Sequence, residues 1–255
     1  MARIAEGPAT PPTGASAYRF DRLRLGLVLR DLYFTKTDPG PGERIVDFDL
    51  PTLDGGRFRS EDLSETAPVL VVFGSYTCPV TESAVPGLCR LHARFGDRVP
   101  FVMVNVREAH PGANVPQPNS IEEKRAHAGL LRDHHDLPFE VAVDDLEGSL
   151  HRAMSPKPNS AYLLGSDGSI LFRAHWANAT RALAAALEDV TEGRPLRQTE
   201  SRGPTRPIWP TLRYVSPVLD RAGPGAWRDM WLAVPPMAAA AWLFRLLSTS
   251  GTEDG

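Results

Sequence analysis

Val69–Cys89 reads VLVVFGSYTCPVTESAVPGLC, and its reading decides the fold. It opens on a continuous apolar run, Val69-Leu70-Val71-Val72-Phe73. A short run rich in β-branched residues reads as a strand buried on both faces. Gly74 breaks it, and Ser75-Tyr76-Thr77 form a polar turn. Cys78 and Pro79 follow at once. Proline suits the first turn of a helix, where its missing N–H would have no partner. Cys78 is therefore expected at a helix N-terminus, just past the carboxyl end of a central strand. Free N–H groups and the helix dipole favour an anion there. A thiolate is an anion, so a lowered Cys78 pKa and a nucleophilic role are expected. The competing reading is a small buried hydrophobe, the commoner fate of a lone cysteine.

The flanking residues extend the pattern on both sides. Asp47–Leu63 reads as a β-hairpin turning at Asp54-Gly55-Gly56. Val99–Val106 is a second apolar strand, and Arg107–Ser120 a long loop with three prolines. Ile121–His134 reads as a helix capped by Ser120. Phe139–Val143 is a third strand and Leu146–Met154 a short helix. Ala161–Leu164 and Ser169–Ala174 pair around Ser166-Asp167-Gly168, and Thr180–Val190 is a closing amphipathic helix. Alternating strands and helices ending in a hairpin and a helix predict an α/β chain. Its arrangement is that of the thioredoxin superfamily: a mixed central sheet with helices on both faces, preceded by a β-hairpin.

The ends differ in composition. Residues 1–44 are expected to be a flexible N-terminus (Met1–Ala17 disordered) followed by a flanking helix over Tyr18–Phe34. Residues 45–191 form the thioredoxin-like domain. Residues 192–255 form an Arg/Pro-rich tail, with Glu192–Pro217 a linker or surface-hugging segment. Trp231–Leu247 is apolar but interrupted by Pro235-Pro236 and Arg245. It reads as a helix packed on the domain or on a second copy in a homodimer, in preference to an interfacial membrane helix.

The totals bound the function. Across 255 residues the net charge is −3, which gives no basic surface for nucleic acid. Two cysteines cannot build a secreted disulfide framework. Met1–Phe20 carries no apolar core of signal-peptide length. A cytoplasmic chain with reduced thiols is therefore expected.

Dithiol chemistry needs a second cysteine three residues after the first, and that position is Thr81. Cys89 lies eleven residues on, about 16 Å along one helix. A disulfide needs Cα atoms within about 7 Å, so Cys89 is expected to pack in the core. The peroxiredoxin pattern P-x-x-x-T/S-x-x-C is half matched: Ser75 is in place, but Val71 stands at the proline position. His134-His135 beside Asp133 and Asp136 reads as a solvated helix end rather than a metal site, and no metal or cofactor is expected. His92, His127 and His151 lack ligand spacing, and His175 reads as a surface residue.

Phe73-Gly74-Ser75-Tyr76-Thr77-Cys78-Pro79 resembles the FGS-x-T-U-P active-site stretch of iodothyronine deiodinases, where U is selenocysteine. Arg107-Glu108-Ala109-His110 resembles that family's E-A-H, Val143-Asp144-Asp145-Leu146 its V-D-x-M/L, and Ala161-Tyr162-Leu163-Leu164 its later strand. The resemblance spans roughly Asp47–Val190. It implies reductive chemistry at Cys78, with attack on a ring halogen and replacement of that halogen by a proton. Ser75, Thr77, Glu108 and His110 match positions serving proton delivery or active-site hydrogen bonding. His110 is expected to donate the proton and Glu108 to orient it. Both should meet Cys78, because loops after parallel strands emerge at one end of the sheet. The implied partners are a small-molecule substrate and a thiol reductant, either a small thiol or a reducing protein. The chain departs from the family in having sulfur for selenium, Asn105 for a tyrosine, Pro118 near a second histidine position, and no counterpart of the membrane anchor. The alternatives are a peroxiredoxin-like thiol peroxidase and a non-catalytic thioredoxin-fold protein whose tail binds a partner.

Overall fold

The computed structural model describes residues 18–31, 34–64, 67–201 and 208–250. Met1–Ala17, expected to be disordered, lies outside them, as do Leu32 and Tyr33 of the expected flanking helix.

β1 (Asp49–Pro51) and β2 (Arg57–Arg59) pair antiparallel around the expected Asp54-Gly55-Gly56 turn. The main sheet contains β3 (Val69–Gly74), β4 (Phe101–Asn105), β5 (Glu140–Val143), β6 (Ala161–Leu164), β7 (Ile170–Ala174) and β8 (Glu200–Ser201). Their order is β5-β4-β3-β6-β7-β8. β3, β4 and β5 run parallel, and β6 is antiparallel to β3 and β7. This is a thioredoxin-like fold with a preceding hairpin.

All six residues of β3 are buried, as its unbroken apolar run requires. Alternate residues supply two cores. Leu70 and Val72 face α2 (Pro79–Phe95), α3 (Ile121–His135) and α5 (Thr180–Thr191). Val71 and Phe73 face the hairpin and α4 (Ser149–Ala153). Ser120 caps α3 as expected, its Oγ accepting from the Glu123 N–H at 3.2 Å.

The flanking helix is shorter than expected, α1 (Leu25–Asp31) rather than Tyr18–Phe34. The larger difference is the tail. Where Glu192–Pro217 reads as a linker or surface-hugging segment, Glu200–Ser201 lies along β7 as the edge strand β8, and a helix starts at Ile208. That helix, α6 (Ile208–Ala222), is followed by α7 (Pro224–Ala233) and α8 (Pro235–Ser250). Val215, Leu219 and Ala222 of α6 close a third core with Ala226, Met230, Ala238 and Ala241. The stripe at 212, 215, 219 and 222 has helical spacing and pays for the interior Pro217 by burial. Among the described residues no helix is long and apolar enough to cross a membrane.

Candidate functional site

Cys78 is the extended N-cap residue of α2, with Pro79 opening the helix. The N–H groups of Val80 and Thr81 and the Thr81 hydroxyl favour its thiolate. Thr81 Oγ1 already accepts from the Ser75 N–H at 3.4 Å and from Asn159 Nδ2 at 3.2 Å. Its single hydrogen is therefore left for the sulfur. Gly74 makes this approach feasible, since a Cβ there would stand 2.6 Å from Met103 Sδ and 3.2 Å from Thr81.

The expected lowering of the Cys78 pKa is not what this environment produces. The residue is 2% exposed, and burial pushes the thiol up against its three donors, with the Glu108 carboxylate adding to the rise. Desolvation wins because the sulfur sits under covering helices rather than at an open helix end.

The five sequence-selected residues gather at one end of the sheet, in two layers. Ser75, Thr77 and Glu108 form the rear layer, all buried. Glu108 Oε2 accepts from the Thr77 N–H at 2.9 Å and from its hydroxyl at 2.6 Å. Thr77 Oγ1 accepts from the His110 N–H at 3.2 Å, and Ser75 Oγ from the Ala109 N–H at 3.3 Å. The Glu108 main chain is paired in both directions with the Gln117 amide. These bonds rivet the turn before Cys78 to the loop after β4, as the parallel β3–β4 pairing allows.

Glu108 does not orient the His110 ring as expected. Its other oxygen meets His127 Nδ1 at 3.1 Å, a contact that no sequence spacing announced. His110 Nδ1 is buried without a hydrogen-bond partner, and burial holds the ring at a pKa of about 4. His110 is thus neutral at physiological pH, which removes the expected imidazolium donor.

Cys78 and His110 form the front layer, together lining a cavity of about 120 Å³. The other walls come from α1 and from the tail: Leu212, Val215, Met230 and Met237 are among them. Asp31 and Trp176 also line it. Neither belongs to any motif, and Thr81 was noticed only as a missing cysteine. Cys89 lies within α2, the helix that Cys78 caps, partly buried against the core, and both cysteines are free.

His134 and His135 are not a merely solvated helix end. Their ring nitrogens and a Glu82 oxygen lie within 4.8 Å of one another. Arg221 of α6 holds this cluster: it donates to Glu82, approaches His134 Nε2 at 2.5 Å, and stacks over Tyr76 at 4.4 Å. A guanidinium bonded to two of the three groups makes the cluster a latch for the tail, and metal binding would have to displace it.

No family model and no curated protein matches the chain. Solved structures do. An uncharacterized conserved protein from Geobacillus kaustophilus is 21% identical, with a TM-score of 0.51 over 63% of this chain and 87% of its own. A thiol:disulfide interchange protein of the thioredoxin family from Chlorobium tepidum is 14% identical, with a TM-score of 0.44 over 62% of this chain and 98% of its own. Peroxidoxin BcpB from Mycobacterium tuberculosis is 15% identical, with a TM-score of 0.44 over 60% of this chain and 98% of its own. The likeness to the first of these is one of fold.

Proposed function

We propose that the chain is a thiol-dependent oxidoreductase in which Cys78 attacks a small, largely apolar substrate, and that its reaction is reductive removal of halogen from an aromatic ring. The observation that carries this reading is the covered chamber holding one thiol. Exchange with disulfides of folded proteins needs an open sulfur, and Cys78 is 2% exposed. Thr81 replaces the second cysteine of a dithiol site.

In the proposed step the Cys78 sulfur attacks the halogen and the carbon–halogen bond breaks. The electron pair stays on the ring carbon, which takes a proton. The sulfur–halogen bond formed on Cys78 is then opened by one reductant thiol, giving halide and a mixed disulfide. A second thiol releases Cys78 and leaves the oxidised reductant. Two thiols thus supply the two electrons. The Cys78 proton is the one the ring carbon takes, and His110, neutral before and after, lines the chamber beside the sulfur as the group placed to relay it without resting as an imidazolium.

The test incubates the purified chain with 4-iodophenol and dithiothreitol, with cumene hydroperoxide in a parallel arm. Iodide release that vanishes in Cys78→Ser is expected. Peroxide turnover without iodide release would replace this reading by the thiol peroxidase. Failure of both arms, with Cys78 inert to alkylation, would leave a non-catalytic thioredoxin-fold protein.

A further inference from the structure

We infer that α1 and the C-terminal helices complete a ligand chamber over Cys78, and that its occupant is a single-ring-sized hydrocarbon body carrying one O–H group read by Asp31 and Trp176. This deepens the proposed function by naming the head group of the substrate.

The roof is built into the fold. Arg107 donates to the Tyr18 carbonyl at 2.6 Å and stacks against the Tyr18 and Phe20 rings. Lys157 Nζ donates to the Arg30 carbonyl at 2.8 Å, and His175 Nε2 meets the Asp31 carbonyl at 2.9 Å. These bonds hold α1 over the carboxyl ends of the strands. On the other side Thr211 of α6 meets Ser83 Oγ and Asn178 Nδ2, each at 3.2 Å. The Asn114 N–H donates to the Ala222 carbonyl at 3.0 Å, so α6 also grips the loop that carries His110.

Three residues that line the chamber carry a buried polar atom that makes no hydrogen bond. Asp31 Oδ1, His110 Nδ1 and Trp176 Nε1 are buried without hydrogen-bond partners, and all three residues line the cavity. The Arg107 guanidinium forms an ion pair with Asp31 Oδ1 at 3.8 Å, which leaves that oxygen's hydrogen-bonding capacity free. Buried polar groups in folded proteins are nearly always paired, so three orphans around one cavity point to a partner that comes from outside.

The inventory of those atoms describes the partner. Indole Nε1–H only donates, and a carboxylate only accepts. A hydroxyl answers both at once, donating to Asp31 and accepting from Trp176. A halide or carbonyl would leave Asp31 unanswered, a carboxylate would be repelled by it, and an ammonium would leave Trp176 unanswered. Burial holds the Asp31 carboxyl up at about 6, so it is ionised at neutral pH and accepting. Apart from Thr211, which is bonded to Ser83 and Asn178, the rest of the wall is apolar, with Leu23, Val28, Leu212, Val215, Met230 and Met237 prominent in it. An engineered apolar cavity of about 150 Å³ binds benzene. A chamber of about 120 Å³ therefore suits one six-membered ring.

Binding is measured by calorimetry on the full chain carrying Cys78→Ser, so that no turnover is needed. The probes are phenol and cyclohexanol against toluene and methylcyclohexane, which match them in size without the O–H. Each O–H probe should bind at least tenfold tighter than its isostere, and the ratio of the two O–H affinities tells an aromatic body from an aliphatic one. Asp31→Leu and Trp176→Phe should each reduce the tenfold preference toward one. Val215→Trp should abolish binding of all four probes with the helical circular dichroism retained, and Met237→Trp serves if the first variant does not fold. Equal affinity for phenol and toluene, no binding at millimolar probe, or binding indifferent to a folded Trp variant would overturn the inference. Selective O–H binding without halide release by the wild type would sink the dehalogenation and leave the chamber standing.

Discussion

Asp31→Asn should stabilise the protein, and the gain should depend on pH. Asp31 is set at the end of α1 with its side chain 15% exposed, and burial is the main force raising its pKa to about 6. In the unfolded chain an aspartate titrates near 3.9. Below that value the carboxyl is neutral in both states and costs nothing. As the pH climbs from about 4 to about 6 the unfolded chain ionises first, and the folded state loses ground. Above about 6 the loss is complete and constant. A displacement of about two pH units, at about 1.4 kcal/mol each, makes that loss about 3 kcal/mol. Asparagine is neutral throughout and avoids it. Urea denaturation of both proteins at pH 4 and pH 8 reads the difference directly. The variant should gain about 2–3 kcal/mol at pH 8 and close to nothing at pH 4. Titrating groups that do not face Asp31 are common to both proteins and cancel; Arg107, Lys157 and Arg30 are the charges that do face it. A gap independent of pH, or a variant weaker at pH 8, would refute the assignment of Asp31 as a buried acid whose desolvation outweighs its ion pair with Arg107. A gain in stability joined to loss of ligand affinity is what a binding group held at a cost predicts.

Three further outcomes follow from the site. Thr81→Val removes the hydroxyl donor on the Cys78 sulfur, so iodoacetamide alkylation at pH 8 should slow by about tenfold, a charge-assisted hydrogen bond contributing about 1.5 kcal/mol, with Thr81→Ser restoring it; an unchanged rate would show that the helix N–H groups suffice. Gly112→Ala places a Cβ 2.2 Å from the Ala222 carbonyl oxygen, so it should cost about 1–3 kcal/mol and speed amide exchange at the end of α6; an unchanged exchange pattern there would mean the loop does not grip the tail. Cys89→Ala should keep turnover with dithiothreitol, and a Cys78–Cys89 disulfide after mild oxidation of the folded monomer would contradict the shared helix.

The sheet and the place of Cys78 were legible because local physics points to them. The Val69–Phe73 run reads as a doubly buried strand and Cys78-Pro79 after Gly74 as the opening of a helix, and both are found. Parallel pairing of β3 and β4 then brings Glu108 and His110 to the same end, which spacing along the chain does not show but topology does. The helix α6 was not legible because Pro210 and Pro217 interrupt a stripe whose period is helical: Leu212, Val215, Leu219 and Ala222 are buried. Pro210 falls in the first turn, where its missing N–H costs little. Asp31, Trp176 and His127 carried no signal at all. Each reaches the site from a separate part of the chain, and only the assembled fold puts them there.

The thiol shows how such distant segments change the chemistry of a local motif. Read alone, a cysteine at a helix N-terminus has three donors and a favourable dipole, and the expected result is a thiolate. The structure keeps all three donors, and burial still prevails. The roof supplies that burial, since the same helices that line the chamber separate the sulfur from water. An exposed thiolate would react with every electrophile that diffuses past it and would climb the oxidation ladder. A covered thiol is slower with all of them, and it meets only what the chamber admits. Removing the roof should therefore raise the alkylation rate of Cys78 while lowering its selectivity. Arg221→Ala, which opens the latch on Glu82 and His134, tests this in the full chain. Faster alkylation by a bulky maleimide, with binding of the O–H probes weakened, is the expected pair of results. A slower reaction would mean that the tail activates the sulfur, and that the donors at the helix end depend on the roof for their alignment.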